Sequence, residues 1–223
     1  PRSTPKPSSP ESDVYNRQGL DWFPITSVEK YDLKDSSIKV IASMGEARAS
    51  HRLLKDSDGG VYALGGYGLD GRSLSSAEYY QPDLDEWDEL PDMSEKRAKH
   101  TAIILRNQNI LVTGGTRDYN IPSGTAELFD VRTGTWSSAG SMREARMGHA
   151  SYQYDKSRGN DCIESGSSQE VFIMGGYGLS AMNSVEVYVP DGGGWSAFET
   201  IVRDFVDVNI TGLVKEISQI WRH

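Results

Sequence analysis

The strongest constraint on this chain is a group of residues that returns at one fixed spacing. Met44, Met93 and Met142 are 49 residues apart, as are Arg48, Arg97 and Arg146, and His51, His100 and His149. Glu29, Glu78 and Glu127 keep the same interval, each followed two residues later by an aromatic ring, Tyr31, Tyr80 or Phe129. A glycine doublet recurs at Gly65-Gly66, Gly114-Gly115 and Gly175-Gly176, and tryptophan recurs at Trp87, Trp136 and Trp195. A lone doublet is an ordinary turn and a lone histidine an ordinary core residue, but so many positions in register mean that one unit has been copied. In the last copy Glu186, Tyr188 and Trp195 arrive about ten residues late, which marks an insertion.

A period near 50 points to a propeller blade rather than a helical solenoid. Three full units are read at 44–92, 93–141 and 142–200, each with four short strands. The first starts at the histidine, as in His100 to Leu105. The second is the apolar run into the glycines, Val61–Leu64, Ile110–Thr113 and Val171–Met174, short and unbroken as a strand covered on both faces should be. The third carries the glutamate and the aromatic ring, and the fourth surrounds the tryptophan. Turns such as Asp56 to Gly60 and Asp191 to Gly194 separate them, glycine supplying the positive φ that tight turns need. The fold class is therefore all-β, a propeller of four-stranded blades.

The ends are less regular. Residues Pro1 to Pro10 hold four prolines among Ser, Thr and Lys, and 1–18 is expected to be a disordered tail or linker. A half unit follows at 19–43, with Asn16 and Arg17 where a glycine doublet belongs and Ile38 where tryptophan belongs, so only its outer two strands are expected. The insertion, Asp155 to Ser168, is expected to be a polar loop exposing Cys162. Residues 201–223 form a degenerate closing segment in which Ile201, Phe205 and Val208 stand at the methionine, arginine and histidine positions. Three blades and a half are few for a ring, since propellers run to about four to eight blades. Two outcomes stay open: strands near Val206 to Ile210 complete the half blade in an atypical four-blade closure, or the propeller is an open arc. The loss of every marker after Trp195 favours the arc, whose edges would invite self-association.

Composition narrows the partners. A formal charge of -9 argues against nucleic acid and anionic membranes, and no apolar run approaches the roughly 20 residues of a membrane span. Cys162 is the only cysteine, so neither an internal disulfide nor a cysteine-based zinc site is expected. That suits the cytoplasm. Asn209-Ile210-Thr211 is a glycosylation sequon, which leaves a secreted chain as the alternative. The first residue is not Met, so a processed product or a piece of a longer chain is expected.

The glycine doublet after an apolar strand, then Glu-x-Tyr, then tryptophan, with Met-x-x-x-Arg-x-x-His leading into the next unit, resembles the kelch repeat over about residues 19–200. That resemblance implies a β-propeller and a role in protein–protein recognition, often as the substrate-reading part of a cullin-type ubiquitin-ligase adaptor, sometimes in actin organisation. No catalytic residue, cofactor or metal is expected, although a propeller enzyme or a carbohydrate-binding relative of copper oxidases is the rival class. The glycines and tryptophans are read as structural markers. Arg48, Arg97 and Arg146 are read as blade tethers paired with Glu78, Glu127 and Glu186, with a partner-binding ring as the other reading. The three histidines could converge on a metal, but no carboxylate or thiol accompanies them at ligand spacing. In resembling propellers, partners dock on the loops after the glycines and between blades. Tyr67, Arg72, Arg117, Tyr119 and Tyr177 on those loops are the expected contacts, because interfaces favour Tyr and Arg.

Overall fold

The computed structural model describes residues 13–15, 23–32, 35–155, 169–190 and 192–197; for 13–15, Tyr119 and Asp155 the description covers the backbone alone. Four antiparallel sheets follow one another along the chain. Blade I has the order β1 (Asp13–Tyr15), β2 (Val28–Asp32), β3 (Ser37–Ile41). Blade II is β4 (Arg52–Lys55), β5 (Val61–Leu64), β6 (Ala77–Gln81), β7 (Glu86–Leu90). Blade III is β8 (Thr101–Ile104), β9 (Ile110–Thr113), β10 (Thr125–Asp130), β11 (Thr135–Ser141). Blade IV is β12 (Ala150–Asp155), β13 (Gln169–Met174), β14 (Val185–Val189), β15 (Gly194–Ala197). The architecture is an incomplete β-propeller, three full blades and one partial one. The first strand of each full blade begins one residue after the histidine.

Blade I departs from the expected half unit. Asp13–Tyr15, inside the stretch read as a tail, pairs with β2 through Tyr15↔Glu29. It stands 49 residues ahead of Tyr62 to Leu64, so it is the second strand of its unit, and among the described residues blade I lacks only the first. The missing doublet hid it: Val14 and Tyr15 favour a strand, but Asn16 and Arg17 give no glycine signal to mark its end. The insertion with Cys162, the closing segment 201–223 and Asn209 lie outside the described residues.

Each seam between blades is an apolar sandwich plugged by one repeated methionine. Val28 and Ile41 of blade I meet Val61, Ala63 and Tyr80 of blade II around Met44. Tyr62, Leu64 and Ala77 of blade II meet Ala102, Ile110, Val112 and Phe129 of blade III around Met93. Leu111 and Ala126 of blade III meet Val171, Ile173 and Tyr188 of blade IV around Met142. The second strands β5, β9 and β13 are buried along their whole length, and β5 and β9 belong to blades that face a neighbour on both sides.

The tryptophans tie the outer edges. Trp87, Trp136 and Trp195 lean on Tyr80, Phe129 and Tyr188 with ring centroids 5.3, 4.9 and 5.2 Å apart. Their indole N–H groups donate backwards to the carbonyls of Ala42, Pro91 and Ala139 at 2.9, 2.7 and 2.8 Å. Each ring therefore fills a seam with its body and fastens the preceding blade with its polar edge. In blade I, Ile38 holds the tryptophan position, and Ile38 and Val40 are 66% and 68% exposed. They lie on the face that would meet a preceding blade.

Candidate functional site

The loops after the glycine doublets and the linkers between blades share one face, and the arginines explain how that face is held. Arg97 sits in the linker from blade II to blade III. Its backbone is bonded to blade II, donating to Leu74 and accepting from Gly66 at 2.9 and 2.8 Å. Its guanidinium reaches into blade III, to Gly114 and Thr125 carbonyls at 2.8 and 3.2 Å and to Glu127 Oε1 at 2.6 Å. Arg48 and Arg146 repeat this with Glu78 and Glu186 at 2.8 and 2.9 Å. The glutamates also accept from linker backbone: Glu127 takes the Ser94 and Glu95 N–H groups at 2.7 and 3.2 Å. Burial alone would raise the Glu127 carboxyl, but the Ser94 bonds and the Arg97 charge outweigh it and the net direction is down. All three arginines are fully buried, so they offer no surface to a partner, and the reading as a partner-binding ring is corrected.

The histidines pack into the same seams. A Cβ built on Gly114 would come 2.6 Å from the Arg146 carbonyl and 2.8 Å from His149 Cε1; one on Gly115 would come 2.7 Å from His100 Cβ. The first glycine thus admits the next blade's linker and histidine, and the second admits its own blade's histidine. Both have positive φ, 57° and 94°, which only glycine adopts freely. His149 Nε2 lies 2.9 Å from Thr101 Oγ1 and 3.1 Å from Thr113 Oγ1, whereas neither ring nitrogen of His100 has a partner. Burial, reinforced by Arg48, Arg97 or Arg146 beside each ring, lowers His51 to about 4, His149 to about 3 and His100 well below its ordinary value. The rings are neutral fillers. Among the described residues no group of three or more His, Cys, Asp and Glu could hold a metal ion.

The loops themselves present apolar tips. Leu69 is 81% exposed, Ile121 55% and Tyr177 59%, and Leu179 is fully exposed. Of the residues expected as contacts, Tyr177 is free on this face and Arg117 is exposed with no ion pair among the described residues. Arg72 is exposed, 3.8 Å from Asp70. Tyr67 is half-buried: its hydroxyl donates to Asn120 Oδ1 at 2.8 Å and Lys99 Nζ lies 5.7 Å from its ring centre. Burial raises the Tyr67 phenol. Tyr67 therefore welds the blade II loop to the blade III loop as well as lining the surface. The Tyr119 side chain lies outside the described residues. Leu69 and Leu179 were missed, although each follows a loop glycine, Gly68 or Gly178, where a strand register no longer buries alternate residues. No helix among the described residues is long and apolar enough to cross a membrane.

The family model described as the Kelch motif matches residues 57–94 and 98–143, the second, third and fourth strands of blade II and nearly all of blade III. Kelch motifs thus recur in successive blades of this chain. It is 34% identical over 134 residues to the F-box/kelch-repeat protein At1g15670 of Arabidopsis thaliana, covering 58% of this chain and 37% of that protein. Kelch repeat protein M-T9 of Myxoma virus is 28% identical over 131 residues, 58% of this chain and 25% of the viral protein. Kelch-like protein 26 of Danio rerio is 26% identical over 171 residues, 74% of this chain and 26% of that protein. The kelch chain thus spans about a quarter to two fifths of these relatives. The solved structure of YjhT superposes with a TM-score of 0.60 at 17% identity, covering 77% of this chain and 57% of that one, a likeness of fold.

Proposed function

We propose that this kelch chain is a non-enzymatic protein–protein interaction module that presents its post-glycine and inter-blade loops to a protein or peptide. One observation carries the conclusion: the recurring polar markers are consumed inside the seams, while Leu69, Ile121, Tyr177 and Leu179 project from successive loops on one face. Exposed aliphatic and aromatic side chains grouped on one face are the usual mark of a docking surface. Tyr67, Arg72, Arg117 and Tyr119 are proposed to contribute beside them. Substrate reading for a ubiquitin-ligase adaptor, or an actin-associated role, would belong to a whole protein of which this chain spans part. The acidic charge and single cysteine support the cytoplasm as compartment, and the exposed Ile38 and Val40 support self-association through the blade I edge.

The test selects binders of the folded chain from a displayed library of random linear peptides. Leu69→Glu with Leu179→Glu is expected to weaken them at least tenfold, on the order expected for losing a hot-spot residue. Leu84→Glu, at an exposed position on the opposite turns, should leave them intact. Binders indifferent to the loop changes would refute the docking face. Metal analysis of the purified protein addresses catalysis: stoichiometric copper or zinc would overturn the binding-only assignment.

A further inference from the structure

Arg52 is the point at which the inner rim departs from its own repeat. It opens β4, where β8 and β12 open with the neutral Thr101 and Ala150. Its Nε donates to the His100 carbonyl across the blade II–III seam at 2.8 Å, which fixes the direction of the guanidinium plane. Among the described residues neither Nη group has a hydrogen-bond or ion-pair partner, yet the side chain is reachable from solvent. The contrast with the scaffold is sharp: Arg48, Arg97 and Arg146 each meet a buried glutamate, and even the exposed Arg72 has Asp70 within 3.8 Å. Burial against the surrounding protein lowers the Arg52 guanidinium. Among the described residues, Arg52 is an oriented cation without its anion.

The charge of Arg52 acts on His51, His100 and His149. Those rings are neutral, so each keeps one N–H donor and one acceptor nitrogen. His100 is fully buried with both nitrogens unpartnered, and His51 Nδ1 is unpartnered too. The unpaired donors in excess at this rim are therefore the two Nη groups of Arg52 itself.

We propose that Arg52 forms an oxyanion site at the inner rim of the propeller, taking a carboxylate or phosphate through its two Nη groups. Guanidinium is suited to this because its planar fork matches both oxygens of such a group at once. The site opens towards the loop face, since β4 starts directly after the inter-blade linker. Only the source of the anion depends on that face being a docking surface: it is either a small free anion or an acidic side chain of a bound protein.

Nitrogen-15 NMR of the whole chain tests the site, following the Arg52 side-chain Nε–H signal. The probes are inorganic phosphate, a Glu-rich peptide and the same peptide with Gln for Glu. A saturable movement with phosphate, with the Glu peptide or with both, and none with the Gln peptide, is the expected result. Phosphate alone would identify a free anion as the ligand, and the Glu peptide alone a protein side chain. Arg52→Gln should weaken the effective probe at least about tenfold, the loss usual for a hydrogen bond to a charged group, and Arg52→Lys should fall between. An Arg52 signal that stays still, or drifts without saturating, overturns the site even if a variant fails to fold. Peptide selection that depends on Leu69 and Leu179 would survive that failure, so the two conclusions fall separately.

Discussion

At the seam between blades III and IV, His149 shares its Nε2 with two threonine hydroxyls that also bond each other at 2.9 Å. At the seam between blades II and III, His100 occupies the same repeat position, but Leu64 and Arg52 stand where Thr113 and Thr101 stand one blade later, and both ring nitrogens are orphaned. The residue before the histidine differs as well. Gly148 has φ 60°, whereas Lys99 is held at φ 53° against its preference. The comparison shows what the repeat demands of its histidine: volume against the glycine doublet, with His149 partnered at Nε2 alone, where the preceding blade supplies hydroxyls, and His100 at neither nitrogen.

The arginine tether should be the feature the two seams share most closely. Arg97→Met and Arg146→Met each leave a glutamate buried without its counter-charge, at a cost of about 3–5 kcal/mol. Denaturant midpoints of the two variants should fall together, and a large gap between them would break the equivalence. Gly65→Ala and Gly114→Ala come next, because each Cβ would strike the following linker's carbonyl. The backbone conformation alone costs about 1–3 kcal/mol there, and both variants should lose thermal stability.

The histidines should then separate the seams by sign. His149→Leu strips two threonines of an acceptor or donor and should cost about 1 kcal/mol, whereas His100→Leu removes unpaired nitrogens and should be neutral or stabilising. Equal losses in calorimetry would contradict the structural contrast. The same rings set an acid response. Their folded pKa values lie below the unfolded value of about 6.5, so below that pH the unfolded chain takes up protons that the folded chain refuses. Stability should be fully retained above about pH 6.5 and fall as pH drops towards the folded values of about 4 for His51 and about 3 for His149, by up to about 1.4 kcal/mol per pH unit for each ring. His149→Leu should flatten that slope in urea titrations at several pH values. The smallest effect is expected of Lys99→Gly, a gain below about 1 kcal/mol, since relief of the left-handed backbone is partly offset by greater freedom in the unfolded chain. A loss there would mean that the Tyr67 contact outweighs the strain.

Much of the fold was legible because its markers do their work between blades. Methionine, arginine, histidine, glycine and tryptophan recur in the sequence because every seam needs a plug, a tether, a filler, an opening and a fastener. Residues that serve no seam could not be found that way. Asp13–Tyr15 lacked the glycine punctuation, Leu69 and Leu179 recur after the glycine doublet but sit in loops that periodicity does not bury or expose, and Arg52 departs from the repeat, which has Thr101 and Ala150 at its position. The glutamate partners of the arginines were legible from the repeat, 30 residues on from Arg48 and Arg97 and 40 on from Arg146, where the insertion intervenes; the unequal surroundings of His100 and His149 required three-dimensional neighbours 36 and 48 residues apart in sequence.

The inter-blade clasp also determines how this protein can be cut. Because Arg97 is bonded through its backbone to blade II and through its side chain to blade III, the linker belongs to two blades, and a boundary drawn at Met93 divides a joint rather than a hinge. A shortened chain that ended at 92 would strip blade II of the Arg97 carbonyl that receives the Gly66 N–H, whereas one ending just past Lys99 would keep it. For dissection, grafting or circular permutation, the transferable module is one blade together with the linker that leaves it.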